Sequence, residues 1–188
     1  MHIVVLSYNY QCINFIIIRT FVLCANTFLY YMLELTEYQR ERLELIEHKL
    51  KFVTERPLVL CIEGPDHLKP ASLYMDELVA LAGGRALSFP DGQDVYDAIA
   101  EQDPDIIIVI PTVGSTVSAM SKMPELLQQP GFAAIKAVKT NRLYIVGNDI
   151  YNSETPDVVD KAELLAEIIY PKQFIFGYEG EGWIKFGL

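Results

Sequence analysis

Residues 56–84, RPLVLCIEGPDHLKPASLYMDELVALAGG, constrain the fold more than any other part of the chain. Leu58–Ile62 is a short apolar run that reads as a strand. Gly64, Pro65 and Pro70 break the loop that follows it. An amphipathic helix with Leu73, Leu78, Val79 and Leu81 inward comes next, and Gly83-Gly84 supplies its left-handed stop. The same grammar recurs downstream. A helix over Val95–Gln102 ends at Asp103-Pro104-Asp105. The β-branched run Ile106–Ile110 follows, and then the turn Pro111-Thr112-Val113-Gly114. Strands alternating with helices at this spacing predict βαβ units and a parallel sheet. In such sheets ligands sit beyond the carboxyl ends of the strands, so the loops there are the place to look for function.

The rest of the chain extends this α/β pattern. Thr36 and Gln39 have capping-box spacing, which starts a helix at Glu37. Leu43, Ile46, Leu50 and Val53 give that helix one apolar stripe and carry it to Val53. Ala86–Phe89 reads as a second strand and Leu143–Val146 as the last one. A broken helical region spans Ser115–Gln129, a helical turn spans Phe132–Val138, and Asp157–Ile169 is the final amphipathic helix. The aromatic, glycine-rich tail Phe174–Leu188 is expected to pack back on the lobe. The prediction is a three-layer lobe of about four mostly parallel strands, with the Glu37–Val53 helix outside its core and that helix's stripe partly exposed. Three loops share the carboxyl edge: Glu63–Ser72, Pro111–Ser115 and Gly147–Thr155.

Charge narrows the function. Residues 1–33 hold one formal charge, Arg19, while the other 155 residues hold 14 Lys+Arg against 25 Asp+Glu, a net of −11. A nucleic-acid binder needs a basic face, so that class is excluded. Ile13–Leu33 is mostly apolar and about long enough to span a bilayer. Arg19 near its centre and the lack of a positive start make it a poor export signal. Bulky Leu23 before Cys24 argues against lipidation. A signal-anchor, a buried apolar arm and a non-native extension stay open for residues 1–35. No cysteine pair has CxxC spacing, and His2, His48 and His67 are scattered, so no metal site is expected. No glycine-rich phosphate loop follows a strand. Glu63, Asp66 and Asp149 are the carboxylates placed for acid/base work, which keeps a small α/β enzyme open as one alternative.

The words RPLVLCIEG, YMDELVALAGG, DAIAEQDPDIIIVIP, LLQQPGFAAIKAVKTNRLYIV, NDIYNSETPDVVD and AELLAEIIYP occur in an order that resembles one family. From about Thr36 onward the chain resembles the carboxy-terminal lobe of the cobalamin-binding proteins, substrate-binding proteins of ABC importers for cobalamin and iron-siderophores. The resemblance implies a non-enzymatic, ligand-capturing lobe without a cofactor of its own. Its ligand would be a corrinoid or iron-siderophore and its partner an ABC permease. It divides the chain into a leader (1–35), an inter-lobe joining helix (36–56) and the lobe (57–188). Residues 1–33 show none of the strand–helix pattern of the family's amino-terminal lobe, which makes a separate amino-terminal lobe a further expected partner. A truncated relative acting as a protein-interaction module is the other alternative. Location by resemblance is periplasmic or cell-envelope, with the cytoplasm left open by the poor signal.

The family's cleft positions map onto the three loops. Pro65, Asp66 and His67 follow the first strand, and Tyr74 stands where relatives often have Trp. Thr112, Val113 and Gly114 match a Pro-Cys-Gly-like turn, with Thr112 in place of Cys. Asp149 and Tyr151 match an acidic and an aromatic contact, and Ser153 replaces a basic residue. Phe89 and Asp91 lie where the family often presents Trp. Asp97, with Glu101 one helical turn on, falls where the family exposes an acid that docks to arginines of the permease.

Overall fold

The computed structural model describes residues 35–64, 69–71, 73–89, 94–111, 116–129, 131–147 and 158–187. The chain divides into two compact units, Met1–Arg40 and Glu41–Leu188. In the first, residues 35–40 are described and hold the capping box: Thr36 Oγ1 accepts from the Gln39 N–H at 3.3 Å, and Gln39 Oε1 accepts from the Thr36 N–H at 2.6 Å. This reciprocal pair satisfies donors that the first helical turn leaves open. The helix it opens is α1, Glu37–Leu50. Tighter turns to His48, Lys49 and Leu50 carry the chain on to Val53, so the predicted end at Val53 includes one non-α turn.

The elements of the second unit alternate as expected. In order they are β1 (Leu58–Glu63), β2 (Lys69–Pro70), α2 (Leu73–Leu81), β3 (Arg85–Ala86), α3 (Val95–Gln102) and β4 (Ile106–Ile110). There follow α4 (Thr116–Leu127), a 3₁₀ turn (Phe132–Ala134), α5 (Lys136–Lys139), β5 (Leu143–Val146), α6 (Val158–Ile169) and β6 (Trp183–Lys185). One six-stranded sheet runs β2-β1-β4-β5-β6, with β3 on the same side of β1 as β2. The β3-β1, β1-β4 and β4-β5 pairs are parallel. All five residues of β4 are buried, as a central strand covered on both faces requires.

Three expectations are corrected. The predicted strand Ala86–Phe89 is Arg85–Ala86, because only the start of β1 is open to pair with it; Leu87 adds one bond to Val59 and the chain then leaves the sheet. Two antiparallel edge strands, β2 and β6, were not anticipated. The predicted break over Ser115–Gln129 is absent from Thr116 to Leu127: Pro124 deletes one backbone bond without ending α4.

Both faces of the sheet are covered. Leu60, Ile62, Ile107, Val109, Leu143 and Ile145 point to one side, against Ile99 of α3, Ala119, Met123 and Leu126 of α4, and Phe132. On the other side α2 and α6 pack together, and Gly84 sits among Val59, Val79 and Ile169. Gly83, at φ +89°, turns the chain out of α2 where any Cβ would strike Leu50 of α1. The α1 stripe is partly exposed, as predicted, with Val53 half-buried at its end. Leu43 and Ile46 are buried and Leu50 is half-buried, while Leu45 and Phe52 face solvent. No helix among the described residues is long and apolar enough to cross a membrane.

Helix α6 is buried over nearly its whole length and carries two buried carboxylates one turn apart, Glu163 and Glu167. Glu163 accepts from Arg42 Nε at 2.9 Å and Nη2 at 2.6 Å, and Asp160 accepts from Arg42 Nη2 at 2.5 Å. The hydrogen bond to Glu163 outweighs burial and holds the Arg42 guanidinium still further above its usual value. Burial, then the Asp160 and Glu163 charges, push the Tyr178 phenol up to about 12. Glu167 accepts from the backbone N–H groups of Phe176 (2.6 Å), Gly177 (2.9 Å) and Glu179 (3.1 Å), and from Trp183 Nε1 (3.3 Å). The tail is thereby fixed, Phe174 is fully buried, and β6 is delivered to the sheet edge.

Replacing Glu167 with Ala leaves those N–H groups, part-buried on the backbone and buried at Trp183, without their acceptor. Each such loss costs about 1–3 kcal/mol, so Glu167→Ala should destabilise by at least about 3 kcal/mol and Glu167→Gln by less. Urea unfolding followed by the fluorescence of Trp183, the chain's one tryptophan, checks this. A loss within about 0.5 kcal/mol of wild type, the range of ordinary surface changes, would contradict it.

Candidate ligand-binding edge

The sheet register builds the site before any side chain is considered. Glu63 pairs with Ile110, and Val109 pairs with Ile145, so Glu63, Ile110 and Val146 end their strands in one row. With neighbouring strands about 4.8 Å apart, the loops after β1, β4 and β5 leave the sheet within about 10 Å of one another. Their first residues are held firmly. Gly64 donates to the Ile110 carbonyl at 2.8 Å, Pro111 is buried, and Gly147 donates to the Gly182 carbonyl at 2.7 Å. A Cβ on Gly147 would lie 3.0 Å from the Glu181 carbonyl oxygen, so glycine allows the tail to close over the end of β5.

Within the predicted loop Glu63–Ser72 the chain doubles back sharply. Glu63 faces Lys69 and Ile62 faces Pro70 across the β1–β2 pair, and Ala71 donates to the Cys61 carbonyl at 3.0 Å. Lys69 Nζ lies 2.6 Å from Glu63 Oε2, which occupies the one described carboxylate among the three considered for acid/base work. Asp66 and Asp149 lie outside the described residues, as do Pro65, His67, Asp91, Thr112, Val113, Gly114, Tyr151 and Ser153.

Two of the predicted contact residues are described. Tyr74 stands in the first turn of α2 with 40% of its surface exposed, and Lys161 Nζ of α6 lies 5.7 Å from its ring centroid. A flat aromatic so placed offers apolar area with little rotamer loss. Phe89 is half-buried and packs against the core beneath α3, so part of its ring is committed to the lobe. On α3, Ala98 and Ile99 turn inward while Asp97 and Glu101 are exposed. Asp94 caps this helix, accepting from the Tyr96 N–H at 2.9 Å.

The chemistry around the described part of this edge is quiet. Among the described residues no cluster of His, Cys, Asp and Glu is placed to hold a metal ion. Cys61 is buried in β1, and burial first, then the charge of Asp76, push its thiol well above the usual range, so it is not a nucleophile. Asp76 was not singled out in the sequence. It is half-buried on α2, and burial, then the Glu77 charge, push its carboxyl up.

No protein-family model matches the chain, and no curated protein matches it. Solved structures do. A TroA-like periplasmic binding protein, FepB from Veillonella parvula, aligns with TM-score 0.58 at 17% identity over 73% of this chain and 46% of its own. An ABC transporter substrate-binding protein from Listeria monocytogenes EGD-e aligns with TM-score 0.61 at 17% identity, over 71% of this chain and 54% of its own. A periplasmic heme-binding protein from Pseudomonas aeruginosa aligns with TM-score 0.56 at 22% identity, over 71% and 51%. The likeness is one of fold: the chain has the architecture of part of a periplasmic binding protein. It spans about half the length of the structures it matches.

Asp76 yields a signed prediction. Its folded pKa is raised, so it favours folding below the unfolded value of about 3.9 and loses that contribution as pH rises through the folded value. Asp76→Asn should therefore be more stable than wild type at neutral pH, with the gain shrinking as pH falls toward 4. Thermal melts across that range test it, and a gain independent of pH would contradict the assignment.

Proposed function

We propose that this chain is a single substrate-binding lobe for an ABC importer, non-enzymatic, whose ligand is a bulky metal chelate of the corrinoid, siderophore or haem kind. The observation that carries the reading is the row of strand ends at Glu63, Ile110 and Val146, which opens three loops side by side at the carboxyl edge. Most cleft residues of the cobalamin-binding resemblance fall on those loops; Tyr74, Phe89 and Asp91 lie outside them in sequence. Neighbours named for haem extend the ligand class, since haem and corrinoids are both flat, conjugated and metal-bearing. On this reading Tyr74, with the loops around Asp66, Thr112 and Tyr151, forms one wall of a ligand site. The location is extracytoplasmic, and a separate amino-terminal lobe is a candidate partner.

One wall binds weakly. A two-lobe protein removes most of the ligand surface from water, whereas one lobe covers about half of it. At roughly 25 cal/mol per Å² of apolar surface, that deficit amounts to several kcal/mol, and each 1.4 kcal/mol is tenfold in affinity. Calorimetric titration with cobalamin, haemin and a ferric siderophore should give a dissociation constant of about tens of micromolar or weaker for the best of them. Tyr74→Ala should weaken it further, by about tenfold if the ring contributes a typical aromatic contact. Nanomolar binding by the monomer would overturn the one-wall geometry, and no binding of any of the three would overturn the ligand class.

Asp97 and Glu101 are assigned to docking on a basic permease surface. Substituting Asp97→Arg should slow association with a cognate permease in membranes, because a rim charge acts chiefly on encounter. Unchanged association kinetics at low salt would contradict that role.

A further inference from the structure

At the opposite end of the sheet lies a feature that ligand capture does not use. The chain has six arginines, and three of them, Arg56, Arg85 and Arg142, line one cavity of about 710 Å³. They arrive from separate places in the sequence, each just before or at the start of a strand: β1, β3 and β5. Parallel pairing sets those starts side by side. Lys136 of α5 adds a fourth cation, against Glu55 and Asp105, so four positive and two negative charges leave the lining at +2. This stands out in a protein whose net charge is −10.

Of the two carboxylates, Asp105 is spent on contacts of its own. Asp105 Oδ1 lies 2.7 Å from Lys136 Nζ, and Asp105 Oδ2 accepts from the Leu58 N–H at 2.7 Å. Burial pushes the Asp105 carboxyl up, but Lys136 and that N–H outweigh it and hold it below the usual range. Glu55 adds to the field that raises Lys136. The arginines meet mostly backbone. Arg85 Nε donates to the Arg56 carbonyl at 3.1 Å and Arg142 Nη2 to the Ile169 carbonyl at 2.8 Å, each using one donor of a guanidinium that has several. Among the described residues no carboxylate is hydrogen-bonded to any of the three guanidinia. Tyr170 ties the group together: its hydroxyl donates to the Gly83 carbonyl at 2.9 Å, and its pKa, raised by burial, is drawn down by both Arg56 and Arg142.

We infer that this amino edge is a second site, which binds a small polyanion bearing phosphoryl or carboxylate groups. Like charges gathered in one concavity repel, and an oxyanion that takes two planar forks relieves that repulsion with paired hydrogen bonds. The volume lies within the range of small-molecule sites. The purely structural alternative is that these arginines serve only the carbonyls at the end of α6 and before β1, as cations near helix C-termini do.

The test is calorimetric titration of the whole chain with inorganic pyrophosphate and with citrate, in metal-free buffer at matched ionic strength. Saturable binding is expected. The Arg56→Gln/Arg85→Gln double variant should bind at least tenfold more weakly, while Lys122→Gln, which removes a cation outside the cavity, should bind as wild type does. Tighter pyrophosphate would identify a phosphoryl ligand, and tighter citrate a polycarboxylate. Circular dichroism establishes that the double variant is folded. Should it not be, Arg85→Lys, which keeps charge but loses the fork, should show an intermediate loss. Failure of both anions to saturate, or equal binding by wild type and folded variants, would overturn the site and leave the arginines with the structural role alone. Neither outcome bears on the carboxyl edge, which a metal chelate would occupy.

Discussion

The two buried carboxylates of α6, Glu163 and Glu167, hold the unit together at both of its ends. Glu163 secures Arg42 of α1, 121 residues earlier, and Glu167 gathers the backbone of the tail that begins at Phe174. Without the first, Arg42 keeps Asp160, and α1 is otherwise held by the packing of Leu43, Ile46 and Leu50 and by the paired hydrogen bonds of Lys49 and Gln173. The second ties down the turn that leads into β6, which pairs with β5 and covers its end at Gly147. Burying a carboxylate is costly unless its lone pairs are filled. Glu163 is filled from 121 residues away, so that contact forms only once α1 and α6 have come together, whereas Glu167 is filled by the segment that follows its own helix. The helix is thus a consequence of the fold as well as a support for it.

This arrangement lets Glu41–Leu188 close as a compact unit. Leu43 and Ile46, the apolar stripe of the helix expected to brace a second lobe, are satisfied within Glu41–Leu188. The register of β1, β4 and β5 then fixes the two edges of the sheet with different characters. The carboxyl edge collects loops and aromatics, and the amino edge collects arginines. Parallel topology alone creates that polarity, because every strand starts at one edge and ends at the other.

What was legible in the sequence followed from local pattern. Ile106–Ile110 reads as a buried strand because five consecutive apolar residues have no other use in a short segment. The stop at Gly83 and the cap at Thr36 were equally plain. The edge strands were hidden: two residues in β2 and three in β6 carry no period, and they are strands only because β1 and β5 present open hydrogen bonds. Glu163 and Glu167 carry no such signal, since nothing near them in sequence announces Arg42 or the Phe176–Glu179 turn. The same holds for Arg56, Arg85 and Arg142, which the sheet brings together from across 86 residues. Of the candidate contact positions, Tyr74 and Phe89 are placed by helix and core packing, while the loop positions from Pro65 to Ser153 lie outside the described residues.

The proposed function places a bulky metal chelate at the carboxyl edge of this lobe. Amide chemical-shift mapping tests it most directly, using cobalamin and a diamagnetic metal porphyrin as probes. Shifts centred on Gly64, Ala71, Tyr74 and Gly147 are expected, with Arg56, Arg85 and Arg142 unmoved. Shifts centred on those arginines, or none at saturating probe, would contradict it.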